Sequence, residues 1–303
     1  MPSSLTPHHS SLIVILGPTS SGKSSLAIKL SRKFRGEIIS ADSRQVYKGM
    51  DLGTGKVTKA EQKLAPHHLL DVVSPKKQFN VSEYKPLAET AIAKITAKNK
   101  LPFLVGGTPF YIYAVVDNLQ IPQVAPNPKL RQLYARKSPA ELFKLLKKLD
   151  PKRAKTIDRH NLRRLIRALE IIKTTGQPVP TLSHFTTQYS PLIIGIQKDL
   201  NDLYKLIDSR LEKRLKQGMV AEIKRLIKQG VSHRRLQAFG LEYRFVSLYL
   251  QGKLSYDDML VQLKNATHKF AKRQMTWFKT DSRIKWIRNQ KQAEQLVKKY
   301  LTR

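Results

Sequence analysis

Cysteine is absent from all 303 residues, which excludes disulfides and thiolate-bound metals and fits a reducing compartment. Long hydrophobic runs are missing as well. The apolar stretches at residues 12–16 and 103–105 fall far short of the roughly 20 residues a helix needs to span a bilayer, so no membrane association is expected. The first ten residues, MPSSLTPHHS, lack a basic start followed by an apolar run. They read as a frayed tail rather than a secretion signal, and the cytoplasm is the expected location. Acids are scarce: 22 Asp+Glu stand against 56 Lys+Arg, a formal net charge of +34. A folded body with that imbalance repels itself, which points to a polyanionic partner. Nucleic acid comes first because neutralised phosphates release counterions; an anionic membrane comes second, with no amphipathic anchor or lipidation signal to support it. Internal repeats, heptads and low-complexity tracts are also missing.

What is present alternates. An apolar run at residues 12–16 ends in Gly17 and is followed by a helix pattern from Ser24 to about Arg32. A short strand at 37–40 stops at Asp42, a helix started by Ser82 runs to about Lys98, and Pro102 introduces a strand at 103–105 that stops at Gly106-Gly107. Another helix begins near Pro109. Strands alternating with helices predict an α/β fold: a mostly parallel sheet with flanking helices.

From residue 121 the texture changes. Pro122, Pro126 and Pro128 lead into a helical region in which residues 129–167 hold fourteen Lys+Arg and three acids (Glu141, Asp150, Asp158). Gly176, Pro178 and Pro180 close it, and an apolar strand at 192–196 resumes the α/β pattern. Residues 121–187 are therefore expected to form an inserted helical lobe, and residues 11–120 with 188–303 one core. The remainder reads as helical, with Gly218 and Gly230 as helix stops and a long basic helix over residues 257–279.

Gly17-Pro18-Thr19-Ser20-Ser21-Gly22-Lys23-Ser24 has two glycines separated by four residues, followed by Lys and Ser. The glycines let successive N–H groups turn toward one anion, and the following helix adds the positive end of its dipole. Lys23 brings a full charge to the phosphates, and the Ser24 hydroxyl is placed to hold Mg²⁺. The pattern is that of a P-loop, so the sheet is expected to be P-loop NTPase-like; it specifies a phosphate or pyrophosphate ligand and says nothing about the reaction. A phosphate-loop ATPase has a second strand ending in Asp; here the strand at 103–105 ends in Gly106-Gly107-Thr108. Asp42 is the one acid at a strand tip, where open α/β sheets bind their ligands. His67-His68 are adjacent on a strand, so they point to opposite faces and make no metal site.

Seven ordered strings resemble the tRNA dimethylallyltransferases: GPTSSGKS (17–24), SADSRQVYKGMDLGTGK (40–56), PHHLLD (66–71), GGTPFYIYAVVD (106–117), RRLIRALE (163–170), SRLEKRLKQGMVAEI (209–223) and FAKRQMTWFK (270–279). The resemblance covers about residues 12–287. It implies transfer of a dimethylallyl group from its pyrophosphate to the exocyclic N6 amine of the adenine 3′ to the anticodon, in tRNAs reading U-initial codons. It also implies Mg²⁺ as cofactor, and dimethylallyl pyrophosphate and the tRNA anticodon stem-loop as partners. Asp42 matches the family's catalytic Asp, a general base; its plainer reading is an outer-shell Mg²⁺ ligand or a helix cap. Thr108 matches a position that contacts the target adenine, and Arg210 an Arg near the donor pyrophosphate. Asp42, Ser43, Arg44 and Gln45 would contact the flipped base and its neighbours.

In residues 162–170, Leu162, Leu165, Ile166 and Leu169 form one apolar face, leaving Arg163, Arg164 and Arg167 free to reach phosphates. Arg131 matches a further tRNA contact. Lys272, Arg273, Gln274, Trp277 and Lys279 mix cations with an aromatic, suiting a surface that tracks a nucleic-acid backbone; Met275 and Phe278 belong to the core. The chain departs from the family pattern at Pro109, where Gly is usual, and at Leu241-Glu242, where an aromatic and a basic residue are frequent, within the segment 237–242 that the resemblance implies touches tRNA. Two other readings remain: a small-molecule or nucleoside kinase with the same loop, and a non-catalytic RNA-binding protein. A monomer with no obligate protein partner is expected.

Overall fold

The computed structural model describes residues 10–180 and 188–302; the tail expected at residues 1–9 and the end of the expected lobe at 181–187 lie outside them. β1 (Ser11–Leu16), β2 (Gly36–Ala41), β3 (His67–His68), β4 (Leu101–Gly106), β5 (Ser190–Ile196) and β6 (Lys285–Ile287) form one sheet in the order β3-β2-β4-β1-β5-β6. Every pairing in it is parallel. β1, β2 and β4 are buried at each residue. Their sequences are continuous apolar runs rather than alternating ones because helices cover both faces of a parallel sheet.

The strands are joined by α1 (Lys23–Lys33), α2 (Lys59–Leu64), α3 (Val81–Thr96) and α4 (Pro109–Val116). α3 starts one turn-residue earlier than expected. Asn80, not Ser82, caps it: its side chain accepts from the Ser82 N–H while Glu83 accepts from the Asn80 N–H, a reciprocal capping box. Pro109 occupies the first turn of α4, where its missing N–H costs nothing.

In the chain, α5 (Pro128–Ala135), α6 (Pro139–Leu149), α7 (Pro151–Thr156) and α8 (Leu162–Thr175) come next. They belong to a unit that clusters separately, Leu119–Phe185, while residues 1–118 and 186–303 form the other. The small unit has its own core of Tyr134, Leu142, Leu146, Ala154, Leu165 and Leu169. Buried Asp150 ties its turns together, accepting from the N–H groups of Arg153 and Val179.

The large unit continues through α9 (Leu200–Lys216), α10 (Met219–Lys228), α11 (His233–Phe239), α12 (Leu241–Leu250), α13 (Tyr256–Phe278) and, after β6, α14 (Gln290–Leu301). β6 corrects the all-helical reading of this stretch. Three residues at a sheet edge are too few to show a period, but pairing with β5 and the packing of Ile287 against α14 fix them as a strand. A second cluster joins Val46, Tyr47 and Met50, just after β2, to buried side chains of α9 through α13. It fastens the loop that follows β2 to the C-terminal helices.

Candidate active site

All six strands run in one direction, so their C-terminal ends share one edge of the sheet. There the P-loop leaves β1, with Gly17 and Gly22 at positive φ and Ser20 at φ 61°. Gly22, at φ 94°, is the N-cap of α1, so Lys23 and Ser24 open that helix. The Lys23 ammonium donates to the Pro18 carbonyl at 2.6 Å. Burial, then the neighbouring Arg210, lower its pKa to about 8, while Asp42 pulls the other way.

Asp42 follows the last residue of β2. Its Oδ1 accepts from the N–H of Arg44 at 2.8 Å and of Gln45 at 3.3 Å, folding residues 42–45 into a turn. Oδ2 accepts no hydrogen bond among the described residues. The Thr108 hydroxyl, just beyond β4, accepts from the Ser43 N–H at 3.1 Å, so Thr108 braces the turn that carries Asp42. Between β2 and β4 a Cβ on Gly106 would lie 2.0 Å from the Ala41 carbonyl oxygen, which makes glycine obligatory there.

The loop Asp51–Gly55 forms a second wall. Glu222 of α10 accepts from three consecutive N–H groups, those of Asp51, Leu52 and Gly53, at 2.7–3.1 Å, and from the Tyr243 hydroxyl at 2.8 Å. Arg214 donates to the carbonyls of Leu52 and Gly53, and Arg210 to that of Gly55 at 2.9 Å. Burial, then the adjacent Arg214 charge, lower the Arg210 pKa. Glu242 pairs with Arg214 at 3.0 Å, so the departure from the family pattern at this position is matched by a cation.

These walls enclose a cavity of about 550 Å³. It brings together Thr19, Lys23, Ser24, Asp42, Ser43, Arg44, Gln45, Thr108, Arg210, Arg273 and Gln274, all singled out from sequence. It adds the apolar Phe239 and Leu241, from the segment 237–242 expected to touch tRNA, and residues that sequence reasoning did not assign: Gly53–Gly55, Arg214, Arg244, Lys269 and the apolar Val105, Phe245 and Phe270. The repeated glycines of DLGTG were the available signal for the first of these. The lining combines seven Lys and Arg side chains with two carboxylates, Asp42 and Glu242. Such a lining suits an anion attached to an apolar group.

Three side chains read as tRNA contacts take partners inside the fold. Gln274 does not face outward; it is 5% exposed and sits against the P-loop. In the small unit Arg163 and Arg164 are exposed, but Arg167 is not free: it donates to the fully buried Glu170 and to the Val124 carbonyl. Arg131 grips the same carboxylate with two hydrogen bonds at 2.7 and 2.8 Å, and the Asn127 N–H adds a third partner. Burial alone would raise the Glu170 pKa, but the hydrogen bonds from Arg131, Asn127 and Arg167 outweigh it and bring it to about 2. Lys272 and Arg273 on α13 and Lys279 just after it are exposed, and Trp277 is 45% exposed with its ring 4.9 Å from that of Tyr113. Phe278 is buried in the core as expected. His67 and His68 take separate partners, the Ala65 carbonyl and Glu37, and no cluster of three metal-binding side chains occurs among the described residues.

The family model described as IPP transferase matches residues 45–281, and one described as isopentenyl transferase matches residues 10–72. The chain belongs to the IPP transferase family. It is 40% identical over 301 residues to the tRNA dimethylallyltransferase of Carboxydothermus hydrogenoformans, covering 96% of each chain. With that of Roseiflexus sp. it shares 42% over 273 residues, 88% of this chain and 90% of the relative. Among solved structures it resembles the full-length tRNA isopentenylpyrophosphate transferase of Bacillus halodurans, with TM-score 0.73 and 32% identity over 97% of both chains. A eukaryotic dimethylallyltransferase, described as acting on tRNA, superposes with TM-score 0.72 and 26% identity over 88% of this chain and 69% of its own. The P-loop-like open parallel sheet of this IPP transferase is thus the fold of those enzymes.

Proposed function

We propose that the chain transfers a dimethylallyl group from dimethylallyl pyrophosphate to the N6 amine of an adenine in tRNA, the one 3′ to the anticodon. The observation that carries this reading is the single cavity that joins Lys23 and Arg210, suited to pyrophosphate, to Asp42 and an apolar lining suited to a five-carbon prenyl chain. In the reaction the allylic C–O bond breaks, the C–N bond forms, and the N6 proton leaves to a base. The adenine amine is a poor nucleophile because its lone pair is delocalised into the ring. A carboxylate beside it removes the proton as the new bond forms, and the Oδ2 of Asp42 is available for this. Its Oδ1, held by two backbone N–H groups, fixes the orientation of the carboxylate. Charge that builds on the leaving pyrophosphate meets Lys23 and Arg210 in a partly desolvated site, which is where electrostatic stabilisation is strongest.

Mg²⁺ fits these residues. Ser24 and Asp42 both line the cavity, and Mg²⁺ accepts one or two protein oxygens while pyrophosphate oxygens and water complete its shell. When bound, the ion would neutralise charge on the leaving group. The exposed cations of α8 and α13 are suited to tRNA phosphates. Among the described residues no helix is long and apolar enough to cross a membrane, and we place the enzyme in the cytoplasm, acting as a monomer. A kinase reading lacks support because β4 ends at Gly106 and leads into Gly107-Thr108, without the acid that holds the metal in phosphoryl transfer.

The test is transfer of label from radiolabelled dimethylallyl pyrophosphate, with Mg²⁺, to unmodified tRNA reading U-initial codons, beside the same tRNA with the target adenine replaced by guanine. Label in the first tRNA alone is the expected result. No label in either, with a small molecule phosphorylated from ATP instead, would overturn it. Asp42→Ala is expected to abolish transfer and leave tRNA affinity within about twofold; an equal loss of binding would remove the base assignment.

A further inference from the structure

Two loops meet at the edge of the sheet, the P-loop after β1 and the turn after β4, and a side chain from far along the chain joins them. Gln274 Oε1 accepts from the Thr19 N–H at 2.9 Å, and Gln274 Nε2 donates to the Gly107 carbonyl at 2.6 Å. Both ends of the carboxamide are used. Glutamate lacks the donor, methionine lacks both groups, and asparagine is one methylene too short. The neighbouring chain is shaped to admit it, since a Cβ on Gly107 would stand 2.6 Å from Gln274 Nε2. The helix that carries Gln274 is anchored on either side by buried Ala271 and Phe278.

The contacts run further. Gly107 precedes Thr108, whose hydroxyl accepts from Ser43 N–H in the turn that Asp42 closes. A continuous path therefore leads from Thr19 in the pyrophosphate cradle, through Gln274, Gly107 and Thr108, to the base. We infer that Gln274 is a positioning residue that keeps the pyrophosphate cradle in register with the Asp42 turn, rather than a contact for tRNA. This rests on the function proposed above. The adenine nitrogen must face the allylic carbon opposite the departing pyrophosphate oxygen while Asp42 reaches the proton on that nitrogen. Cradle and base must therefore be set together, and a displacement of about 1 Å between the two loops costs up to about a hundredfold in rate.

The experiment is steady-state transfer kinetics of Gln274→Met, which is close to Gln in volume and removes both hydrogen bonds without adding charge. We expect kcat to fall about ten- to a hundredfold, the KM for dimethylallyl pyrophosphate to rise, and the KM for tRNA to stay within about twofold. Gly107→Ala, which crowds the carboxamide and leaves Gln274 in place, should reproduce this pattern, and it keeps the test open should Gln274→Met fail to fold by circular dichroism. A rise in the tRNA KM alone, or kinetics equal to the unaltered protein, overturns the inference. Absence of transfer by the unaltered protein would instead count against the proposed function.

Discussion

The P-loop and the loop Asp51–Gly55 both present backbone to the same cavity, but they are held in opposite ways. The P-loop takes its shape mainly from its own residues: glycines at positive φ, a helix that begins at Lys23, and a lysine folded onto the Pro18 carbonyl. Its one distant side-chain tie among the described residues is Gln274 on the Thr19 N–H. The loop Asp51–Gly55 is held from outside. Glu222 takes three of its N–H groups, Arg214 and Arg210 take its carbonyls, and all three lie more than 150 positions away in the chain. A wall built locally can be recognised from eight letters. A wall built from distant side chains becomes visible only when the helices are in place.

Breaking the local wall should have the largest effect. Lys23→Ala is expected to lower transfer kcat/KM by about a hundredfold or more, since it removes a full charge from the leaving group. Because the Lys23 pKa lies at about 8 before the donor binds, donor affinity in the unaltered protein should fall as pH rises through that value. A donor titration by calorimetry from pH 7 to 9 measures it, and a flat profile would mean that Lys23 does not meet the pyrophosphate.

Breaking the distant wall should cost stability as well as rate. Glu222→Ala leaves three N–H groups and the Tyr243 hydroxyl without their acceptor, a loss of about 2–4 kcal/mol in urea unfolding. Transfer should fall with it, whereas Lys23→Ala should leave stability nearly unchanged. Equal stability of the two variants would erase the contrast.

The small unit sharpens the comparison at lower cost, because its arginines divide between holding the fold and facing water. Arg163→Gln with Arg164→Gln should weaken tRNA binding several-fold and flatten the slope of log affinity against log salt by about one to two. Arg167→Gln should change the slope little and loosen α8, since that guanidinium is engaged with Glu170. Binding measured between 50 and 200 mM salt, roughly the range over which phosphate contacts are screened, separates the two.

The smallest effect is at acid pH. The Glu170 pKa is depressed from 4.5 to about 2, so its contribution is fully present above about pH 4.5 and is lost as pH falls toward 2. Glu170→Gln should lower stability at neutral pH and flatten this acid slope. An unchanged slope would mean that other carboxylates govern it.

How far the sequence is legible follows the same division. The apolar runs of β1, β2 and β4, the P-loop and Asp42 at a strand tip are local patterns, and each lies where its pattern implied. β6 is too short for a period, and the cap at Asn80 rather than Ser82 depends on a one-residue choice among polar neighbours. Arg167 and Gln274 mislead for a different reason. Polar residues on helices in so basic a chain read as solvent-facing, and only the buried Glu170 and the backbone groups of Thr19 and Gly107 reveal what they serve.

The separation between Glu222 and the loop it holds also bears on synthesis. During translation the P-loop and α1 leave the ribosome within the first few dozen residues, and β4, which pairs with β1, is complete by Gly106. The loop Asp51–Gly55 has to wait for Arg210, Arg214, Glu222 and Tyr243 to leave the ribosome before it acquires its partners. A chain that stops short of Tyr243 would carry a curled phosphate loop, still without its tie to Gln274, beside an unfinished acceptor wall.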